Sequence, residues 1–288
     1  TDTSLKQPKT FTLLRSENLN EKPLIVTVIG GGDKSVTYCL HQLKQMYLAE
    51  NSETKAEKFV FGFDTESDRG KVASVQLSTR FLSVVFLFQK MYNNNGSETN
   101  STKLNFPIEL QKFLEDARIL KTGVGVSSDA KNLRRSFNVM LRGDVDLSLL
   151  AVQQGVLSGS FISLKEFAKR LIGGMTYTRT HRGVQWSKLD VQRHESMIHY
   201  AAMDSFVGYR CTQILASYLC VQGENKSLYE WLSGVSKEMN SARLAQKKEK
   251  KQQHQHPKNL MTLSTFHSTV MVTMTVKVKR LVPRHHLH

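Results

Sequence analysis

Cysteine is scarce in this chain: Cys39, Cys211 and Cys220 are the only three in 288 residues, with no CxxC spacing among them. An odd, scattered set builds neither a disulfide framework nor a structural zinc site, and it points to a reducing compartment. Long apolar runs are missing as well. None exceeds the eight residues Phe81 to Phe88, against the ~20 a membrane-spanning helix requires. No charged, then apolar, then small-residue leader opens the chain, so a soluble protein without a membrane partner is expected. The opening residue is Thr1 rather than Met, which suggests a fragment or a processed chain. There is no internal repeat, which argues against a solenoid.

Acidic residues are outnumbered, 25 against 40 Lys and Arg, for a net charge of +15. The excess is uneven. Lys237 to His288 hold eleven Lys and Arg and two acids, net +9, leaving +6 for residues 1 to 236. The run Lys247, Lys248, Lys250 and Lys251, followed by Gln, His and Pro, reads as a solvated or nucleic-acid-attracting segment or a nuclear-import patch. With 40% apolar residues there is material for one sizeable core.

The pattern before the tail alternates between strands and helices. Pro23 to Ile29 is a β-branched run that Gly30-Gly31-Gly32 ends, and Val36, Cys39, Leu40, Leu43, Met46 and Tyr47 then recur at helical spacing. Phe59 to Phe63, Val72 to Leu77 and Leu82 to Phe88 read as consecutive strands. Pro107 to Leu114 reads as a helix and Ile119 to Val126 as a buried strand. Ser127 and Ser128 are expected to cap a helix through Leu133 and Phe137. From Leu147 the periodicity is helical, ending in a long stretch from about Val191 to Leu219. The alternation at Val270 to Val278 suggests a lone strand. The end, Leu281-Val282-Pro283-Arg284 with histidines, looks like a protease-site and tag scar.

Several familiar signals fail on chemistry. Asp33 stands in the segment Gly30 to Ser35 where a phosphate loop needs glycine before its lysine. His194 and His199 are five apart, so on a helix they diverge by roughly 140° and cannot form the zinc-protease pair. Asp144 and Asp146 precede an apolar helical pattern and read as capping or first-turn acids.

Four carboxylates and a tyrosine remain. Asp64 and Glu66 are two apart on a strand and therefore share a face; alone they are either paired surface acids or a cation site. Asp129 opens a helix just past a buried strand, the sheet edge where open α/β folds place ligands. Tyr200 and Asp204 are four apart and share a helical face.

Taken in order, these segments resemble the DEDD superfamily of 3′-5′ exonucleases, in the tyrosine-type branch that holds the Werner syndrome exonuclease and RNase D. The likeness covers roughly Pro23 to Tyr218. It runs through Phe63-Asp64-Thr65-Glu66, Lys121-Thr122-Gly123-Val124-Gly125-Val126 with Asp129 and Leu133, Ser163 to Phe167, Trp186-Ser187-Lys188, and Tyr200-Ala201-Ala202-Met203-Asp204. It implies an α/β fold, a ribonuclease-H-like mixed β-sheet flanked by helices. It also implies hydrolysis of phosphodiester bonds from nucleic-acid 3′ ends with two Mg²⁺ or Mn²⁺ ions. Asp64 would bridge both ions, Glu66 and Asp204 would complete one site, Asp129 would hold the second ion, and Tyr200 would orient the attacking water. His199, five before Asp204, matches a sister branch; the four-residue helical step favours Tyr200. Ser67 replaces a tryptophan that many relatives carry, so a stacking contact there is absent or supplied elsewhere.

A catalytically silent nucleic-acid or protein scaffold on the same fold is the competing reading. It predicts loss of an acid, and none is lost. Arg69, Lys71, Lys131, Arg134, Arg179 and Arg182 could hold phosphates, though each reads equally as a solvated cation. The expected domains are an N-terminal extension over 1–22, the exonuclease domain over 23–222, and a basic, mostly disordered tail over 223–288. The expected partners are DNA or RNA 3′ ends and a helicase on a separate chain, and the expected residence is nuclear rather than cytoplasmic.

Overall fold

A computed structural model describes residues 9–13, 24–29, 33–51, 58–68, 70–88, 106–153, 156, 162–172, 186, 195–220 and 228–255. In chain order the elements are β1 (Lys9–Leu13), β2 (Leu24–Ile29), α1 (Asp33–Glu50), β3 (Phe59–Asp68), β4 (Lys71–Ser78), β5 (Leu82–Leu87) and α2 (Ile108–Glu115). They continue with β6 (Ile119–Gly123), α3 (Val126–Phe137), β7 (Asp144–Asp146), α4 (Leu147–Gln153), α5 (Leu164–Ile172), α6 (Glu195–Cys220) and α7 (Leu228–Gln255).

The seven strands form one mixed sheet in the order β1-β2-β5-β4-β3-β6-β7. The meander β3-β4-β5 is antiparallel, while β6 and β7 add in parallel beside β3. Those five strands with helices on both faces are the ribonuclease-H-like arrangement expected. Two more strands extend it, with β2 parallel to β5 and β1 antiparallel to β2.

Strand β3 is central because both its faces are covered, and its first five residues are all buried. Phe59 and Phe61 meet Tyr47 of α1, each with ring centroids 5.7 Å apart, and Phe61 meets Phe113 of α2 at 5.4 Å. Alternate residues point the other way. On that face α6 packs across β3, β4, β5 and β6. The expected apolar stripe of α1 is present, since Val36, Cys39, Leu40, Leu43 and Tyr47 are buried in the core.

Within the expected N-terminal extension, Lys9–Leu13 pairs with β2. Within the segment from 223, α7 is helical to Gln255, and Tyr229, Leu232 and Val235 join the core at a helical three-residue step. The capping expectation at Ser127 and Ser128 needs correction. Ser127 and Ser128 lie inside the first turn of α3; the N-cap is Gly125, at φ 82°, with no side-chain cap bond of its own. The chain divides into compact units Thr1–Ala242 and Arg243–His288. The strand expected at Val270 to Val278 and the end from Leu281 lie outside the described residues. No helix among those described is long and apolar enough to cross a membrane.

Candidate active site

Asp64 and Glu66 project from β3 toward α6, and α6 comes unusually close because residue 62 has no side chain. A Cβ at Gly62 would lie 2.0 Å from the Ser205 carbonyl oxygen and 2.8 Å from Tyr209 Cβ. This crossing brings Asp204, the residue before Ser205, against the strand two residues beyond Gly62. One carboxylate oxygen from each of Asp64, Glu66 and Asp204 lies within 4.8 Å of the others. Residues on two elements separated by well over a hundred positions thus form one anionic pocket.

Hydroxyl groups hold the helix at that height. Ser205 Oγ donates to the Ala202 carbonyl at 3.0 Å and contacts Ser78 Oγ of β4 at 2.6 Å. Ser83 Oγ of β5 donates to the same carbonyl at 3.3 Å. Two turns further along, Thr212 Oγ1 donates to Thr122 Oγ1 of β6 at 2.8 Å. Each is buried, so an unmade bond would leave a desolvated polar group and the pairing fixes the helix in one position.

Asp129 occupies the first turn of α3, where the helix dipole favours a negative charge. It stands beside the three-acid group rather than inside its 4.8 Å span. Its Oδ1 accepts the Thr65 hydroxyl at 2.6 Å, which ties the start of α3 to the strand carrying the acid pair. Asp146 sets the turn before α3: its Oδ2 accepts the Gly125 amide at 3.1 Å, and its Oδ1 accepts the Ser148 amide and hydroxyl. The capping role read for Asp146 is therefore the observed one.

The electrostatics of the pocket are those of crowded anions. Burial, then the charges of Asp204, Asp129 and Glu66, push the Asp64 carboxyl well above the ordinary carboxylate range. Burial and then Glu66 raise Asp204 to about 8. Burial raises Asp129 to about 6, against the opposing Thr65 hydrogen bond. The buried Oδ1 of Asp204 has no hydrogen-bond partner. Such groups cannot all ionise unless positive charge is supplied. An all-carboxylate oxygen set with an orphaned buried oxygen suits a hard divalent cation such as Mg²⁺ or Mn²⁺.

Tyr200 is buried one turn before Asp204. His199 is half-buried and outside the acid group; burial lowers its pKa, with Glu195 opposing. Ser67 is exposed, just past a register shift between Glu66 and Ser67. Lys71, Lys131 and Arg134 are exposed, whereas Arg69, Arg179 and Arg182 fall outside the described residues. Sequence reasoning missed Thr65, Ser78, Ser83, Ser205 and the role of Gly62. A glycine inside an otherwise bulky strand was the one visible signal.

A ribonuclease-H-like sheet with a carboxylate cluster on its central strand defines a nuclease-type domain. The model of a family described as 3′-5′ exonuclease matches residues 39–219, and the chain belongs to that family. Exonuclease 3′-5′ domain-containing protein 2 of Mus musculus is 33% identical over 102 residues, 34% of this chain and 15% of that protein. The bifunctional 3′-5′ exonuclease/ATP-dependent helicase WRN of Mus musculus is 27% identical over 183 residues, 60% of this chain and 12% of that one. The chain thus spans under a sixth of the length of these curated relatives. Among solved structures, the EXD2 exonuclease domain soaked in Mn and GMP is 24% identical, covering 68% of this chain and 92% of that one, with a TM-score of 0.37. Brucella melitensis NrnC is 19% identical, covering 62% and 83%, with a TM-score of 0.44.

Proposed function

We propose that this domain removes nucleotides from nucleic-acid 3′ ends by metal-dependent hydrolysis of the terminal phosphodiester bond. The observation that carries the reading is the group Asp64, Glu66 and Asp204, whose carboxylate oxygens converge within 4.8 Å, with Asp204 Oδ1 buried and unpartnered. Those three residues, with Asp129 beside them, would hold two Mg²⁺ or Mn²⁺ ions. Bound there, such ions supply positive charge opposite the attacking and leaving oxygens of the phosphate. The chain's own residues do the rest. Asp64 and Glu66, fixed by the strand, and Asp204, fixed by the serine contacts of α6, hold the oxygen ligands in place before substrate arrives. The Tyr200 hydroxyl, which can donate and accept a hydrogen bond, orients the attacking water. The buried floor under Asp204 excludes bulk water and strengthens each of these interactions.

The test uses matched DNA and RNA strands labelled at the 3′ or the 5′ end, incubated with Mg²⁺, Mn²⁺ or EDTA beside Asp64→Ala. Stepwise shortening from the 3′ end, in metal only and abolished in the variant, is the expected result. Binding without shortening would instead mark a silent scaffold on this fold. Likeness to a bifunctional exonuclease/helicase supports a helicase partner, and the basic Lys247 to Lys251 run supports nuclear residence.

A further inference from the structure

Strand β4 turns a row of buried polar side chains toward the acid pocket. Ser74, Gln76 and Ser78 alternate along the strand and so share a face, and Ser78 Oγ meets Ser205 of α6 at 2.6 Å, which sets that face toward the helix. All three are fully buried. The antiparallel register puts Ser78 across from Gly62, Gln76 across from Asp64 and Ser74 across from Glu66. Residues so placed stand about 4.5–5.5 Å apart at Cβ. On the other side, β5 sets Val85 across from Gln76 and Leu87 across from Ser74, both buried and apolar, so neither offers a polar partner. The Gln76 amide runs along β4, where Nε2 donates to Ser74 Oγ at 2.7 Å, and it therefore lies alongside the Asp64 and Glu66 pair. Its Oε1 is buried and has no hydrogen-bond partner among the described residues. An orphaned acceptor costs free energy that a leucine at this position would not.

Resting on the nuclease reading of this pocket, we propose that Gln76 is a positioning residue for Asp64: in the metal-loaded protein its amide turns, so that Nε2 donates to the Asp64 carboxylate while Oε1 accepts the Ser74 hydroxyl. A half-turn about the last side-chain bond exchanges the amide oxygen and nitrogen within the same volume, and that torsion is soft and roughly two-fold. The turn leaves neither end of the amide orphaned, because the Ser74 hydroxyl can donate as well as accept. It also gives Asp64 a donor on its β4 side. A carboxylate offers about four lone-pair sites; ions seated in the pocket take the outward ones, and a donor from the neighbouring strand fixes the plane of the group through an inward one. A neutral amide does so without cancelling the negative charge that attracts the cations, as a lysine or arginine there would. Because Gln76 is fully buried, it acts through Asp64 and not on the nucleic acid.

The test compares wild type with Gln76→Met, which keeps the volume and removes the amide, and with Ser74→Ala. Mn²⁺ affinity is read without substrate by electron paramagnetic resonance titration, beside the melting temperature in EDTA and the KM and kcat on whichever of the DNA and RNA strands wild type shortens. Losing a hydrogen bond to a metal-ligating carboxylate costs about 10- to 100-fold in metal affinity, and Gln76→Met should weaken Mn²⁺ binding by that factor. Its melting temperature in EDTA should be no lower than that of wild type, because an unpartnered buried oxygen has been removed. In saturating Mn²⁺ kcat should fall while KM stays near the wild-type value. Ser74→Ala should weaken Mn²⁺ binding in the same direction but by less, and the double variant should bind no more weakly than Gln76→Met alone, since the two side chains act as a unit. A folded Gln76→Met that binds Mn²⁺ like wild type overturns the proposal. So does a loss of Mn²⁺ affinity accompanied by a lowered melting temperature in EDTA, the mark of a merely structural role. A folded wild-type protein that binds no Mn²⁺ and shortens no strand would instead sink the nuclease reading, and this proposal with it.

Discussion

The sharpest consequence of the close crossing between β3 and α6 concerns a single methyl group. In Gly62→Ala the new Cβ meets the Ser205 carbonyl at 2.0 Å, Tyr209 Cβ at 2.8 Å and the Tyr209 amide nitrogen at 2.9 Å. All three atoms belong to the helix backbone or sit directly on it, so no side-chain rotation relieves the clash. Restoring ordinary contact, at about 3.4 Å, requires α6 to lift by more than 1 Å near Ser205, and Asp204 rises with it. Overpacking of this kind costs about 1–3 kcal/mol, and misplacing a catalytic group by ~1 Å can cost about 100-fold in rate. The expected outcome is a folded protein with a lowered melting temperature, Mn²⁺ binding weakened in a titration followed by electron paramagnetic resonance, and 3′ shortening slowed by about 100-fold or more. Gly234→Ala serves as the control, because nothing lies within 4 Å of a Cβ there and a helical alanine replacing glycine is neutral to stabilising. If folded Gly62→Ala binds Mn²⁺ and turns over like wild type, the crossing does not set the geometry of the acids.

Other expectations follow from the same contacts. In EDTA, Asp204 and Asp129 hold protons in the folded state that their unfolded forms release, between their ordinary value of 3.8 and about 8 and 6 respectively. Stability of the metal-free protein should therefore fall as pH rises from about 4 to 8, and saturating Mn²⁺ should remove that decline; a melting temperature in EDTA that climbs across this window would contradict it. Tyr200→Phe should slow turnover by about 10² while His199→Ala leaves it within a few-fold, and the reverse pattern would assign the water-orienting role to the histidine. Lys121 is fully buried, with Nζ donating to the Asp116 carbonyl at 3.0 Å, and burial lowers its pKa to about 7. From pH 7 to 10.5 the unfolded lysine keeps a proton that the folded one has shed, so stability rises with pH there. Lys121→Met should abolish that rise and stabilise the protein at pH 7 by on the order of a few kcal/mol, measured by thermal melts.

The elements whose patterns are local are legible in the order of residues itself. The helical stripe of α1 and the shared faces of Asp64 with Glu66 and of Tyr200 with Asp204 follow from periodicities of two and 3.6 residues, and the three strands of the meander from short apolar runs that polar turns separate. Contacts that such periods do not encode are not legible there. The Asp146 carboxylate that sets Gly125, the Thr65 hydroxyl on Asp129, and the Ser78, Ser83 and Ser205 cluster join residues that are unremarkable in their own segments.

The succession of residues alone determined that this chain builds a mixed sheet and that acids of the right kind occur in the right order, because backbone geometry and side-chain alternation act over a few neighbours. Only the tertiary structure decided that three of those acids share one pocket while Asp129 stands beside it, that β1 joins the sheet edge, and that α7 carries Tyr229, Leu232 and Val235 into the core. Those outcomes depend on how closely distant backbones can approach and on which buried polar groups find partners. Both are settled by packing in three dimensions.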